Sequence, residues 1–348
     1  MNLLYKYSIL IIVVSQTIYS QLAYSTEGDA LFDSLAMRSI GFTIDHKYSE
    51  AESAAIKIIE NYPESPAGYL FRAAVLSSMM IDYEEIIRFD DFSDYLDKCI
   101  EMSENGIKAH PKNPWNYYYL GGSRAYMALH YIRDDNYFYS LIQGLKAIKS
   151  LRTTLELDST LYDAYIGIGN YTYWISRKTE FLKWMPFISD SREEGIELMY
   201  KTVQKGKYSR ETGASALAWI LIDAGRYKEA VSVIAEPSAK HPDSRFFLYA
   251  NGRAQYSLGN YSESREHYLK LLESVRNAPI NNHFNELGIL VKLAENNIGL
   301  GEYQKALGYC REGLNIELTD SMRKRKQKTL GMLSNLAKKC ENEISKKR

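Results

Sequence analysis

Six histidines (His46, His110, His130, His241, His267 and His283) and three cysteines (Cys99, Cys310 and Cys340) are the residues best suited to metal binding or nucleophilic chemistry in this 348-residue chain. A zinc site takes ligand pairs a few residues apart, so that both reach one ion from a single turn or helix face. No histidine or cysteine here has a second one at such spacing. The doublets Asp90-Asp91, Asp134-Asp135 and Glu193-Glu194 fall at expected turns or helix starts, where carboxylates complement exposed backbone amides. An acid/base carboxylate pair is the alternative reading of them. His110 and His241 each precede a helix-ending proline, where a cation suits the carbonyl end of the helix dipole. Gly167-Ile168-Gly169 lacks the preceding strand and third glycine of a phosphate loop, and neither Gly-x-Ser-x-Gly nor His-Glu-x-x-His occurs. These patterns predict no enzyme, no cofactor and no metal site.

What remains is the chemistry of contact. The chain holds 29 tyrosines, 11 phenylalanines and 4 tryptophans. Tyrosine and tryptophan present rigid apolar faces with one polar handle, which suits both helix packing and recognition surfaces. Lys+Arg and Asp+Glu both number 43, so no net field draws the chain to nucleic acid, and nucleic acid is not an expected partner.

The elements that position these rings are repeated. Gly225-Arg226-Tyr227 and Gly259-Asn260-Tyr261 stand 34 residues apart, and Gly301-Glu302-Tyr303 follows after 42, one period plus an eight-residue insertion. Around them the same grammar recurs. Leu217-Ala218 and Leu293-Ala294 are large-small pairs of a first helix, Ala230, Ser264 and Ala306 are small residues where two helices touch, and Pro242 closes a copy. Small residues belong at such points because helix axes must approach to about 8–10 Å. Upstream, Leu120-Gly121 and Ile168-Gly169 match each other at 48 residues. The three middle copies therefore carry extra length, read as about two added turns per helix in the first two and as the apolar loop Phe181–Phe187 in the third. Polar elbows are expected near Ile81-Asp82 and Asp134-Asp135-Asn136.

These residues resemble the tetratricopeptide repeat family. The resemblance implies an all-α, right-handed α-solenoid of about seven helical hairpins spanning 26–320, with copies near 32–65, 66–113, 114–161, 162–210, 211–244, 245–286 and 287–320. A basic helix over 321–348, including Arg323-Lys324-Arg325-Lys326-Gln327-Lys328, is expected as a solvated cap. Residues 66–244, through Ser189-Asp190-Ser191-Arg192-Glu193-Glu194-Gly195, also look like a long-hairpin tetratricopeptide group. That group has bacterial members and eukaryotic relatives linked to inclusion-body clearance, and it offers no catalytic residue to carry over.

In the family the first helix of each hairpin lines the concave surface. Carried across position by position, that pattern gives Trp115, Tyr118 and Tyr126; Asn170, Tyr173 and Trp174; Trp219 and Asp223; and Phe246, Tyr249, Arg253 and Tyr256. Either these rings line an open groove, or the longer hairpins curl tightly and the rings fill the inside of the coil. The groove reading implies a non-catalytic scaffold that binds an unidentified protein or peptide. The alternative is a small-ligand or glycan-binding protein, since the same faces stack on sugars.

Two segments bear on location. Lys6, the apolar run Ile9–Val14 and Ala23-Tyr24-Ser25 form the pattern of a signal peptide over 1–25, cleaved after Ser25 or alternatively after Ser20. An exported protein of a bacterial periplasm or cell surface is expected. An oxidising compartment would permit a Cys310–Cys340 bridge, with unbridged structural thiols as the default. The apolar stretch Phe181–Phe187 is read as a loop over its own hairpin, with peripheral membrane contact as the alternative.

Overall fold

In all three glycine triplets the glycine takes a left-handed backbone, at φ 77° for Gly225, 81° for Gly259 and 73° for Gly301. Each closes a helix with the same pair of hydrogen bonds. Gly225 N–H donates to Ile222 O and Arg226 N–H to Leu221 O, at 3.1 and 2.8 Å, and the other two triplets repeat the pattern. This is the Schellman cap, which satisfies carbonyls that the ending helix leaves without partners. The tyrosine two residues on then starts the next helix. His46-Lys47-Tyr48 and Asp135-Asn136-Tyr137 do the same without glycine, at φ 60° for His46 and 57° for Asp135.

These turns link the elements of a computed structural model that describes residues 27–180 and 190–346. The expected signal peptide and the stretch Phe181–Phe187 lie outside the described residues. Among the described residues there are sixteen α-helices and no strand. Seven hairpins follow one another: α1 (Ala30–Ile44) with α2 (Tyr48–Asn61), α3 (Ala67–Tyr83) with α4 (Phe89–Ala109), α5 (Pro114–Arg133) with α6 (Tyr137–Leu157), α7 (Tyr165–Lys178) with α8 (Arg192–Lys205), α9 (Arg210–Asp223) with α10 (Tyr227–Lys240), α11 (Arg245–Ser257) with α12 (Tyr261–Arg276), and α13 (Phe284–Gly299) with α14 (Tyr303–Leu314). A short α15 (Asp320–Arg325) and α16 (Gln327–Lys346) complete the chain. Each helix of the seven hairpins packs on the next, and α16 covers α13 and α14, as in an α-solenoid.

The added length of the middle copies is helical where expected. Helices α4, α5 and α6 run 21, 20 and 21 residues, against 12 to 16 in α9–α14. Cys99, Cys310 and Cys340 are buried free thiols.

Arg323, Lys324, Arg325 and Lys328 of the basic segment are exposed, and Lys326 is the one basic residue of the five that departs from a solvated face. Lys326 is buried, with its ammonium 3.2 Å from the centroid of the Phe284 ring, and burial lowers its pKa to about 8. Arg325 stacks on the same ring at 4.6 Å and donates to Glu84 O at 3.2 Å. The reason is a feature that the repeat pattern does not contain: the coil closes on itself. Helix α1 crosses the inside of the turn. Phe32 packs edge-on to Tyr208 at 6.2 Å, while Ile44 is buried in the core formed by α9, α10 and α11. Ser244 Oγ donates to Ile44 O at 2.8 Å, joining residues 200 apart in sequence.

Candidate binding surface on the concave face

The twelve residues assigned to the concave face fall into two environments, divided by α1. The first is covered. Trp115, at the head of α5, lies edge-on to Tyr118 at 5.4 Å, stacks on Tyr119 at 5.9 Å and meets Tyr208 at 6.1 Å. Phe32 and Leu35 of α1 pack into this cluster, with Tyr126 at its edge. Polar ties hold α1 there. Tyr208 donates to Asp33, Lys207 Nζ approaches Asp33 at 2.5 Å, and Tyr119 donates to Glu27. Burial raises the hydroxyl of Tyr126 to about 12 and that of Tyr118 well above its ordinary value. Further along, Phe246 stacks on His46 at 5.2 Å, and Tyr249 is half-buried against the carboxy-terminal core. On this side the rings are part-buried against α1, the turn after it and the carboxy-terminal core.

Two more residues do not face the groove as free groups. Tyr173 is only 1% exposed, and its hydroxyl donates to Asp223 at 2.7 Å. The Asn170 amide donates to Ile166 O at 2.9 Å and to Met199 Sδ at 3.4 Å, so its donors are engaged within its own hairpin.

The second environment is open. Trp219 on α9 is 39% exposed, and Trp174 on α7 is half-buried beside Tyr173. Asp223 closes α9 and accepts from Arg177 Nε at 2.9 Å as well as from Tyr173. Arg253 has no ion-pair partner among the described residues. Tyr256 lies edge-on to Tyr261 at 5.5 Å, with the Lys292 ammonium 5.9 Å from its ring centre. This strip combines an exposed indole, a half-buried tyrosine and charges of both signs, a composition used in recognition.

Sequence reasoning missed the residues that close the coil. Asp163 is the clearest of them. Its buried carboxylate accepts the backbone N–H groups of Lys207, Tyr208 and Ser209 at 3.2, 2.8 and 2.7 Å, which holds Tyr208 under α1. His241 caps α10 as expected, yet its ring also lies between Asp45 at 2.6 Å and Glu211 at 3.3 Å. An exposed apolar cluster also stands outside the groove, at the α5–α6 turn, where Tyr137 is 61% and Phe138 70% exposed. Among the described residues no group of His, Cys, Asp and Glu is placed to hold a metal ion, and no helix is long and apolar enough to cross a membrane.

No protein-family model matches the chain, and no curated protein matches it. Solved structures do. The crystal structure of the APC/C hetero-tetramer Cut9–Hcn1 is similar at a TM-score of 0.54 and 13% identity, over 91% of this chain and 58% of that one. The chain thus spans less than two thirds of that neighbour's length. The P58(IPK) TPR domain (TM-score 0.30, 12% identity, 91% of this chain and 99% of that one) and yeast Tom70 (TM-score 0.33, 9% identity, 86% and 87%) are also among the structures found. The likeness to Cut9–Hcn1, with the hairpin order above, gives the chain a tetratricopeptide-type α-solenoid fold.

Proposed function

From this tetratricopeptide-type fold, we propose that the protein is a non-catalytic scaffold that docks a protein or peptide partner on the open half of its concave face. The observation that carries this reading is Trp219, 39% exposed on a first helix, with Asp223 at the end of the same helix and Trp174, Arg253 and Tyr256 on the adjacent first helices. A tryptophan side chain left in water on a concave strip is an unused anchor, and such anchors dominate binding energy when a partner covers them. The glycan reading calls for an enclosed site. The shallow pocket lined by Asp82, Tyr83, Arg245, Asn282 and Asn285 lies at the coil closure instead, away from Trp219.

The test is affinity capture from envelope extract with the native chain and with Trp219→Ala and Arg253→Glu variants. A protein retained by the native form and lost by both folded variants supports the docking strip. Equal retention by all three refutes it. We also place the protein in a bacterial envelope, on the signal-peptide pattern of residues 1–25. Amino-terminal sequencing of the protein from fractionated cells should begin at Thr26, or at Gln21 for the alternative site. A cytoplasmic fraction beginning at Met1 would reject export.

A further inference from the structure

Repeats of a solenoid touch their neighbours, so the whole behaves as a spring whose closure depends on contacts that skip repeats. Those contacts meet at the turn between α1 and α2. The Arg245 backbone N–H donates to His46 Nε2 at 2.8 Å, and that N–H cannot turn away. Nε2 must therefore offer a lone pair, which leaves the ring proton of neutral His46 on Nδ1. Nδ1 faces the Tyr48 hydroxyl at 3.0 Å and Asp82 Oδ2 at 3.4 Å. The Arg245 guanidinium grips both oxygens of the same Asp82, and Tyr48 donates to it at 2.9 Å.

Beside this network, the end of α3 is capped from the far end of the chain. Asn285 donates to Asp82 O at 2.6 Å, Asn282 to Tyr83 O at 3.1 Å, and Arg325 to Glu84 O at 3.2 Å. Asn282 and Asn285 lie where the chain exceeds the 34-residue period between Gly259 and Gly301. The inserted residues thus serve closure.

We propose that His46 is an acid-release latch: a proton on Nε2 opposes the Arg245 N–H donor to donor, and the coil then unwinds to uncover the concave face that α1 occupies. Every group around the ring bears on the sign. Burial disfavours the imidazolium, Asp82 and Asp45 favour it, Arg245 opposes it, and together they lower the pKa of His46 below its usual value. The closed coil therefore binds fewer protons than the open one. Closure is complete above the ordinary histidine value of about 6.5 and weakens up to tenfold per pH unit below it, until the closed form itself is protonated. His241 differs in its partners, because both its nitrogens face carboxylates, Asp45 and Glu211. The latch rests on the docking reading only for its consequence, access to Trp115, Tyr118 and Phe246.

The test follows the radius of gyration by solution scattering, and the hydrogen exchange of Trp115–Tyr119 and Ser244–Phe247, between pH 7.5 and 5.0 with no partner added. The wild type should expand at pH 5.0 with unchanged helix content, and exchange in both segments should rise at least tenfold beyond the chemical pH effect. His46→Gln, which keeps an acceptor but cannot titrate, should stay closed at both values. His241→Gln should still open in acid. A wild type that stays closed at pH 5.0, acid opening retained in His46→Gln, or acid opening lost in His241→Gln would each overturn the proposal. If His46→Gln is already open at pH 7.5, the wild-type midpoint decides: between about 4 and 6.5 it supports the latch, and lower it assigns opening to carboxylates. Because no partner is present, failure here leaves docking on Trp219 untouched, and failure of docking leaves the latch standing.

Discussion

Asp82 shows how one buried carboxylate can serve two ends of the chain. Burial alone would raise its pKa, but hydrogen bonds from His46 and Arg245 outweigh it and bring the group to about 2. Its share of stability is therefore full above the ordinary aspartate range and is lost as pH falls through about 2. The side chains of Arg245 and Asp82 are 8% and 6% exposed, so solvent screens the pair little. Removing one partner leaves a buried charge without compensation, which costs about 3 kcal/mol or more. Arg245→Ala should lower the unfolding free energy in urea by that amount, and adding Asp82→Asn should recover part of it. An Arg245→Ala loss below about 1 kcal/mol would mean that the pair is hydrated.

At the scale of the element, the turn between paired helices is the unit that repeats. Gly225, Gly259 and Gly301 meet nothing within 4 Å of an added Cβ, so only backbone strain opposes a side chain there. Gly225→Ala should cost about 1 kcal/mol. His46, Glu84 and Asp135 already stand in the left-handed region with side chains in place. Asp135→Gly should accordingly stabilise the chain by about 0.5 kcal/mol, and a thermal melt that moves the other way would show that the Asp135–Tyr137 hydrogen bond outweighs the strain. The repeat pattern found the glycine turns because glycine marks them. It missed His46 as a turn residue, since only the tyrosine two positions later survives as a signal.

For the molecule as a whole, what matters is that a string of hairpins becomes a closed coil. Each hairpin also packs on its sequence neighbours, so individual closure contacts can be weakened without melting helices. An Asn282→Ala/Asn285→Ala variant should keep its circular dichroism while its radius of gyration rises and exchange at Ser244–Phe247 quickens. Loss of helix in step with expansion would instead mean that the closure is part of one cooperative fold.

The sequence by itself determined the hairpins and their number, because those depend on spacings within one copy: a small residue where helices touch, a turn that tolerates positive φ, an apolar face every few residues. It also placed Trp219, Trp174, Asp223 and Tyr256 on first helices. Tertiary structure alone decided which aromatics meet water. Trp115, Tyr118 and Phe246 lie on first helices as Trp219 does, yet α1 and the turn after it pack against them and leave Trp219 the more exposed. That outcome rests on pairs such as Asp82–Arg245 and Ile44–Ser244, which lie 163 and 200 residues apart. Contacts at such separation leave no period in the sequence. They form only when small rotations between successive hairpins add up to bring the first repeat against the sixth.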